Sequence, residues 1–388
     1  LDGVVAEKQG THRVTYSREG ERRRTMLHHP APGAFLVTYT VDRQGRLAHI
    51  RVGNRLVVRF QYRLPTQLRR RTQGLLRSDY EHDDNGVVET ITITGFASGN
   101  DLRFDITRDN DGRIETCSQT QGAVNISWTW EYDEPGRIKS EVLLTDNAGT
   151  IEQVTTTRLF DGDDVLRREQ IQVSDGTTTL SGNTFERTRE ERGRILSETN
   201  APTLTYDKNG NLIQFGTTEY KFDAWQRLIQ VLRGGQIIAD YEYDTLHRLV
   251  LRRTPEDVET YIYDGGHLIE VRRDDEVIER YVYSGAIDDA VYAEISSDQY
   301  HVLSDPMGNI HAVVDAQGQV RQFYRYSLRG RCEVLDAGYN VVTESPAVRL
   351  LFQRRVWDSV SGLYYFRARW YSSELGIFLT ADPSGYGE

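Results

Sequence analysis

Residues 204–213 read LTYDKNGNLI, residues 220–229 read YKFDAWQRLI, and residues 241–250 read YEYDTLHRLV. A fourth copy, YIYDGGHLI, fills 261–269, and a degraded fifth, YVYS, starts at Tyr281. The anchors Tyr206, Phe222, Tyr243, Tyr263 and Tyr283 follow one another at separations of 16, 21, 20 and 20 residues. Side chains alternate along a strand, so an aromatic-x-aromatic pair puts both rings on one face. The aspartate that follows ends the strand, because its carboxylate bonds nearby backbone N–H groups. Asn209-Gly210 is a hairpin turn signal, and the Arg/Asn-Leu-Ile tail begins the return strand. One unit is therefore predicted to be a β-hairpin. A lone hairpin is marginal in water, so successive hairpins are expected to add side by side.

Weaker copies run through the N-terminal half. They start at Tyr39, Tyr80, Phe104, Trp130 and Phe160, and each carries an aspartate within five residues of the ring. Strand-like tracts such as 88–94 (VETITIT) lie between them. Helical periodicity is scarce and no linker stands out. The expectation is an all-β chain forming one long, twisted, antiparallel sheet, with one face wet and the other packed. Repeats are degenerate to about residue 200 and well formed over 204–335, so 1–355 reads as the repeat region and 356–388 as a closing segment.

That closing segment begins VWDSVSGLYYFRARWYSSELGIFLTADPSGY, residues 356–386. Leu363-Tyr-Tyr-Phe366 and Trp370-Tyr371 are aromatic and strand-prone, and glycines at 362 and 376 mark turns. The string resembles the core that closes Rhs/YD-repeat proteins. The matching positions are Asp358, Gly362, Leu363, Tyr365, Arg367, Ala368, Arg369, Tyr371, Gly376, Phe378, Asp382, Pro383 and Gly385. Tyr386 departs from the leucine usual after DPxG. The hairpin units of 204–284 resemble the YD repeats of the same family.

The resemblance implies a sheet wound as a spiral into a hollow shell, partial or complete, closed by the core. In a polymorphic toxin or Tc-toxin C component, such a shell encloses and delivers a C-terminal effector. The implied partners are the protein's own cargo domain and a secretion or delivery apparatus. In a teneurin-like or wall-associated protein, the same shell is an adhesion scaffold facing a cell-surface receptor. Both readings imply a secreted or cell-surface location, and arginine at nearly every basic position points to a bacterial source. Family members that cut their own chain use two aspartates, as an aspartyl protease does. Asp382 matches the first. The second lies in a later DPxG that 1–388 does not contain, so Asp382 is a catalytic candidate only within a longer parent. Asp358 is read as a turn residue.

The remaining features narrow the field. With 388 residues, a formal net charge of −11 and interspersed acids and arginines, the chain lacks the basic face of a nucleic-acid binder. Mean hydropathy is −0.57, and 22 tyrosines carry much of the apolar surface. No apolar run approaches the ~20 residues of a membrane helix. The first residue is Leu1, and both ends read as cuts within a longer polypeptide. Cys117 and Cys332 are too few for a disulfide framework and read as core thiols. The loops 82–86, 109–112 and 161–164 resemble fragments of calcium loops but lack the full oxygen series. His28-His29 has no zinc spacing. No cofactor or turnover chemistry is expected.

Overall fold

The computed structural model describes residues 5–9, 12–20, 22–28, 35–160, 166–175, 177–189, 195–198 and 202–382. The turn of the Phe160 copy, the 161–164 loop, His29, Pro383, Gly385 and Tyr386 lie outside the described residues. Strands account for 63% of the structure, and no α-helix occurs among the described residues. Two compact units are formed. The first gathers Leu1–Asp101, Asp257–Arg325 and Val334–Arg354; the second gathers Leu102–Glu256, Tyr326–Glu333 and Arg355–Glu388. Within each, consecutive strands pair antiparallel in chain order.

One turn is repeated throughout. It opens at Asp42, Asp83, Asp109, Asp133, Asp207, Asp223, Asp244, Asp305, Asp315 and Asp336. In each, the aspartate N–H donates to the carbonyl four residues on, and the N–H three residues on returns to the aspartate carbonyl. The third residue after the aspartate has a positive φ, and is usually glycine. This is the three-residue hairpin loop with a left-handed closing residue, rather than the two-residue loop that Asn-Gly often makes. The carboxylate builds the turn, since its Oδ1 accepts the N–H of residue i+4 every time. Its Oδ2 takes an arginine Nε from Arg46, Arg113, Arg137, Arg227 or Arg248 at 2.6–2.8 Å. Asn211, Asn309 and Asn340 fill that place at the turns of Asp207, Asp305 and Asp336. At Asp42, the Arg46 side chain is the first reason the carboxyl lies below its ordinary range. The weak N-terminal copies thus make the same turn as the well-formed ones.

The i+4 arginine also ties one hairpin to the next. Arg46 lies over the Tyr62 ring at 4.5 Å, Arg113 over Tyr132 at 4.6 Å, Arg137 over Phe160 at 4.2 Å and Arg227 over Tyr243 at 4.9 Å. The tyrosine hydroxyls reach back to the earlier hairpin. Tyr62 donates to the Leu47 carbonyl, Tyr132 to Ile114, Tyr243 to Leu228 and Tyr283 to Leu268, at 2.6–2.9 Å. The Tyr-Asp-Arg pattern is therefore a local circuit that closes each turn and stacks it on its neighbour.

The expectation of one wet face holds only in part. In the second unit, Leu102–Arg108 and Val124–Tyr132 alternate buried and open positions. In the first unit, the strands within 259–325 are buried on both faces: Tyr281, Val282 and Tyr283 are each 5% exposed or less. Residues 35–97 of the same unit cover one face. There Arg280 lies over the Phe35 ring at 4.8 Å, and Gln73 Nε2 donates to the Val291 carbonyl at 2.6 Å. Gly74, at φ 58°, packs so close to the His301 ring that no side chain would fit. The segment 343–350 covers the opposite face, where Ala347 N–H donates to Tyr324 Oη and Arg349 N–H to Tyr281 Oη.

Candidate functional site

Four short strands build the closing core: Val356–Asp358, Leu363–Phe366, Arg369–Ser372 and Ile377–Phe378. They pair antiparallel in order. Leu363 is 2% exposed and Tyr365 5%. Tyr365 Oη accepts the Leu249 N–H at 3.0 Å and donates to the His247 carbonyl at 3.2 Å, and burial raises its phenol. Trp370 Nε1 donates to Tyr243 Oη at 2.9 Å, and its ring lies 4.7 Å from that of Tyr241. The motif aromatics thus dock onto the Tyr241 and Tyr243 pair of a YD repeat. Arg367 occupies the exposed two-residue loop between Phe366 and Arg369, at φ 63°.

Asp358 is the centre of this docking. It is 3% exposed and accepts from Arg252 Nη1 at 2.8 Å, Ser361 Oγ at 2.8 Å, Val360 N–H at 3.1 Å and Tyr241 Oη. Its carbonyl takes the Gly362 N–H at 2.9 Å, where Gly362 turns at φ 72°. The sequence reading of Asp358 as a turn residue describes half its role. The other half is an ion pair with Arg252, buried on both sides. A buried charge needs such partners, and with four donors on it Asp358 has little capacity left for a reacting group.

Gly376 and Tyr371 position a second arginine. Gly376, at φ 66°, leaves room for Arg329, whose Cδ would lie 3.1 Å from an added Cβ. Arg329 donates to the Glu374 carbonyl at 2.9 Å and pairs with Glu169 and, at 3.5 Å, Glu198; Tyr371 Oη donates to its carbonyl. Burial works to raise the Glu169 carboxyl, but Arg329 and Arg158 outweigh it and hold it below the ordinary range.

Asp382 sits differently. Its side chain is 39% exposed and pairs with Arg369 at 2.8 Å, and that guanidinium lies over the Phe378 ring at 3.8 Å. Phe378 in turn meets Phe366 and Tyr371 edge-on, at 5.4 and 5.3 Å. Asp382 is thus an accessible carboxylate on a braced cation, four residues past the last core strand. The turn aspartates Asp83 and Asp109, singled out as calcium-loop fragments, bond their own turns. No group of three or more His, Cys, Asp or Glu side chains suited to a metal occurs among the described residues. Cys117 and Cys332 are free thiols, and burial pushes Cys332 up to about 12.

The site residue that motif reasoning missed is Arg349, in the first unit. Its side chain is 11% exposed and donates to Glu279 through Nε and Nη2, both at 2.7 Å, and to Glu259 through Nη1 at 2.9 Å. Tyr281 Oη donates to Glu279 and Tyr261 Oη to Glu259. Burial acts against the Arg349 cation, but the carboxylates outweigh it and raise its pKa. A glutamate stands two residues before the first tyrosine at both 259 and 279. That signal was present in the sequence.

Comparison with known proteins places the chain. The teneurin YD-shell family matches residues 179–388. The tRNA3(Ser)-specific nuclease WapA of Bacillus spizizenii is 27% identical over 324 residues, covering 78% of this chain and 13% of that protein. The double-stranded DNA deaminase toxin A of Burkholderia cenocepacia is 31% identical over 87 residues, covering 22% of this chain and 6% of that protein. The chain therefore spans only a small part of the curated relatives it matches. Among solved structures, the Photorhabdus luminescens Tc holotoxin pore superposes on 98% of this chain and 22% of its own, with a TM-score of 0.69 and 12% identity. A TcdB2-TccC3 crystal structure does so over 98% and 25%, with a TM-score of 0.69 and 14% identity. At such identity the likeness establishes the fold. With the family match covering more than half its length and ending in the core just described, the chain belongs to the teneurin YD-shell family.

Proposed function

We propose that this chain is the shell region of a bacterial, secreted Rhs-type toxin, which encloses a C-terminal effector and delivers it. The observation that carries this reading is the disparity among its relatives. A tRNA nuclease and a DNA deaminase toxin share this region, so their named activities belong elsewhere in those chains. The buried Asp358 and Arg349 agree, because they fasten segments to the sheet. In the longer parent, Asp382 supplies one carboxylate of an aspartyl pair that frees the cargo. Two carboxylates sharing a proton can activate water, and Asp382 is an accessible acid of the core. The partners are then the protein's own cargo and a delivery apparatus.

The test is the fate of the full-length parent on a denaturing gel, with intact mass of each band. Two fragments that co-elute on native size exclusion, cut shortly beyond residue 388, support cleaved cargo held in a shell. Asp382→Asn should leave the parent whole. A wild-type parent that stays uncut, or an Asp382→Asn parent cut normally, removes Asp382 from the mechanism.

A further inference from the structure

One arrangement occurs twice. In the first unit, the turn Asp305-Pro-Met-Gly-Asn309 is followed by Ile310, whose N–H donates to the Leu351 carbonyl at 3.1 Å. Two residues after that leucine, the Gln353 N–H donates to Asn309 Oδ1 at 3.0 Å. In the second unit, the turn Asp207-Lys-Asn-Gly-Asn211 is followed by Leu212, whose N–H donates to the Leu379 carbonyl at 2.8 Å. Two residues after that leucine stands Ala381, and then Asp382. In both turns the asparagine Nδ2 donates to the aspartate Oδ2 at 2.9 Å. The amide oxygen is then left for another donor.

The two turns differ at that oxygen. Asn309 Oδ1 is filled by Gln353. Asn211 is 1% exposed, and among the described residues its Oδ1 has no hydrogen-bond partner. Gln353 reaches Asn309 through a left-handed backbone, with φ 51° at Gln353 and 57° at Arg354; Thr380, Ala381 and Asp382 do not adopt it. An acceptor buried without a donor is unfavourable. The five arginine turns have no such acceptor, because a guanidinium only donates. Asn340, in the third asparagine turn, is exposed, where water can serve it.

We propose that Asn211 is the positioning residue for Asp382. The segment 379–382 seats on the Asp207 turn as 351–354 seats on the Asp305 turn, the Ala381 N–H closes onto Asn211 Oδ1, and the Asp382 carboxylate is thereby fixed. The proposal rests on the reading of Asp382 as the processing carboxylate, and it explains why this turn carries asparagine where its neighbours carry arginine.

Amide hydrogen exchange on the 388-residue chain tests the seat directly. The Ala381 amide is expected to exchange at least tenfold more slowly than in the unfolded chain. Asn211→Arg keeps the turn chemistry of Asp223 and Arg227 but removes the acceptor. It should speed Ala381 exchange about tenfold while the strand amides of 218–233 keep their protection. In the parent, the same substitution should slow processing about tenfold. Fast Ala381 exchange in the wild-type chain, which needs no variant, overturns the proposal. So does unchanged Ala381 exchange in Asn211→Arg. Normal cutting of the Asp382→Asn parent would instead defeat the processing reading, and the exchange result would still decide the seat.

Discussion

Arg349 and Asp358 fasten two non-repetitive segments to YD sheets by opposite means. In the first unit, one buried cation on the 343–350 segment meets two carboxylates, Glu259 and Glu279, each also held by a tyrosine hydroxyl. In the second, one buried anion on the core segment meets one guanidinium, Arg252, and two hydroxyls. In both, the sheet partners belong to the strand face that carries the first tyrosine of the repeat. The repeats thus supply a polar row beneath their aromatic anchors, and irregular segments complete that row with the missing charge. The difference lies in what each removal leaves behind: two uncompensated acids in one case, one uncompensated guanidinium in the other.

Arg349→Met should therefore be the more damaging change. It strands two carboxylates, and breaking a buried pair from one side costs about 3–5 kcal/mol. Urea unfolding should show that loss, and Glu259→Gln with Glu279→Gln in the same chain should recover at least half of it. A loss under about 1 kcal/mol would mean that the acids reach water and the cluster is a surface feature. Asp358→Asn should cost about 3 kcal/mol, because it keeps the shape but leaves the Arg252 charge unmatched. If the two variants prove equal, the number of stranded charges does not govern the cost, and the comparison fails.

A pH series sharpens the contrast further. Burial lowers His301 to about 4 and raises Asp305 to about 6, and both residues lie in the first unit. The histidine stabilises the fold as a neutral ring, fully above its unfolded pKa near 6.5, and that contribution is lost as pH falls toward 4. Asp305 works the other way, so its neutral form is favourable below about 4 and stability declines as pH rises toward 6. The histidine alone should remove about 2 kcal/mol between pH 7.5 and 5. His301→Gln should show that much less acid loss than the wild-type chain, and Asp305→Asn about 1.4 kcal/mol more. Equal pH slopes in all three chains would show that neither group titrates from its buried state.

Much of this was legible in the sequence. The Tyr-x-Tyr-Asp spacing gave the hairpins, because both the ring alternation and the carboxylate turn are local. The closing core was recognisable because its motif residues stand together in one stretch, 358–385, although their sheet partners lie 106–127 residues earlier. Arg349 was not, since its partners lie 90 and 70 residues earlier and no short pattern encloses them. The two-sided burial of 259–325 escaped for the same reason. Residues covering those strands come from 35–97 and 343–350, and alternation within a strand cannot reveal what covers its outer face. Asn211 stood in plain view inside the best-formed repeat, yet its departure from arginine acquires meaning only beside Asn309 and Gln353.

The smallest predicted effect sets a baseline for the anchors. Asp223→Ala removes the acceptor for the Trp225 and Arg227 N–H groups and frees the Arg227 guanidinium. These groups are close to water, with the aspartate side chain 16% exposed, so solvent replaces most of what is lost. The expected cost is about 1 kcal/mol, read in the same urea titration. Turns of this kind occur in series, and each contributes a small, replaceable increment to the array. Arg349 and Asp358 occur once each and have no substitute in solvent. If Asp223→Ala were as damaging as Asp358→Asn, the repeats themselves would hold the unit together, and the fastening segments would be passengers on an already stable sheet.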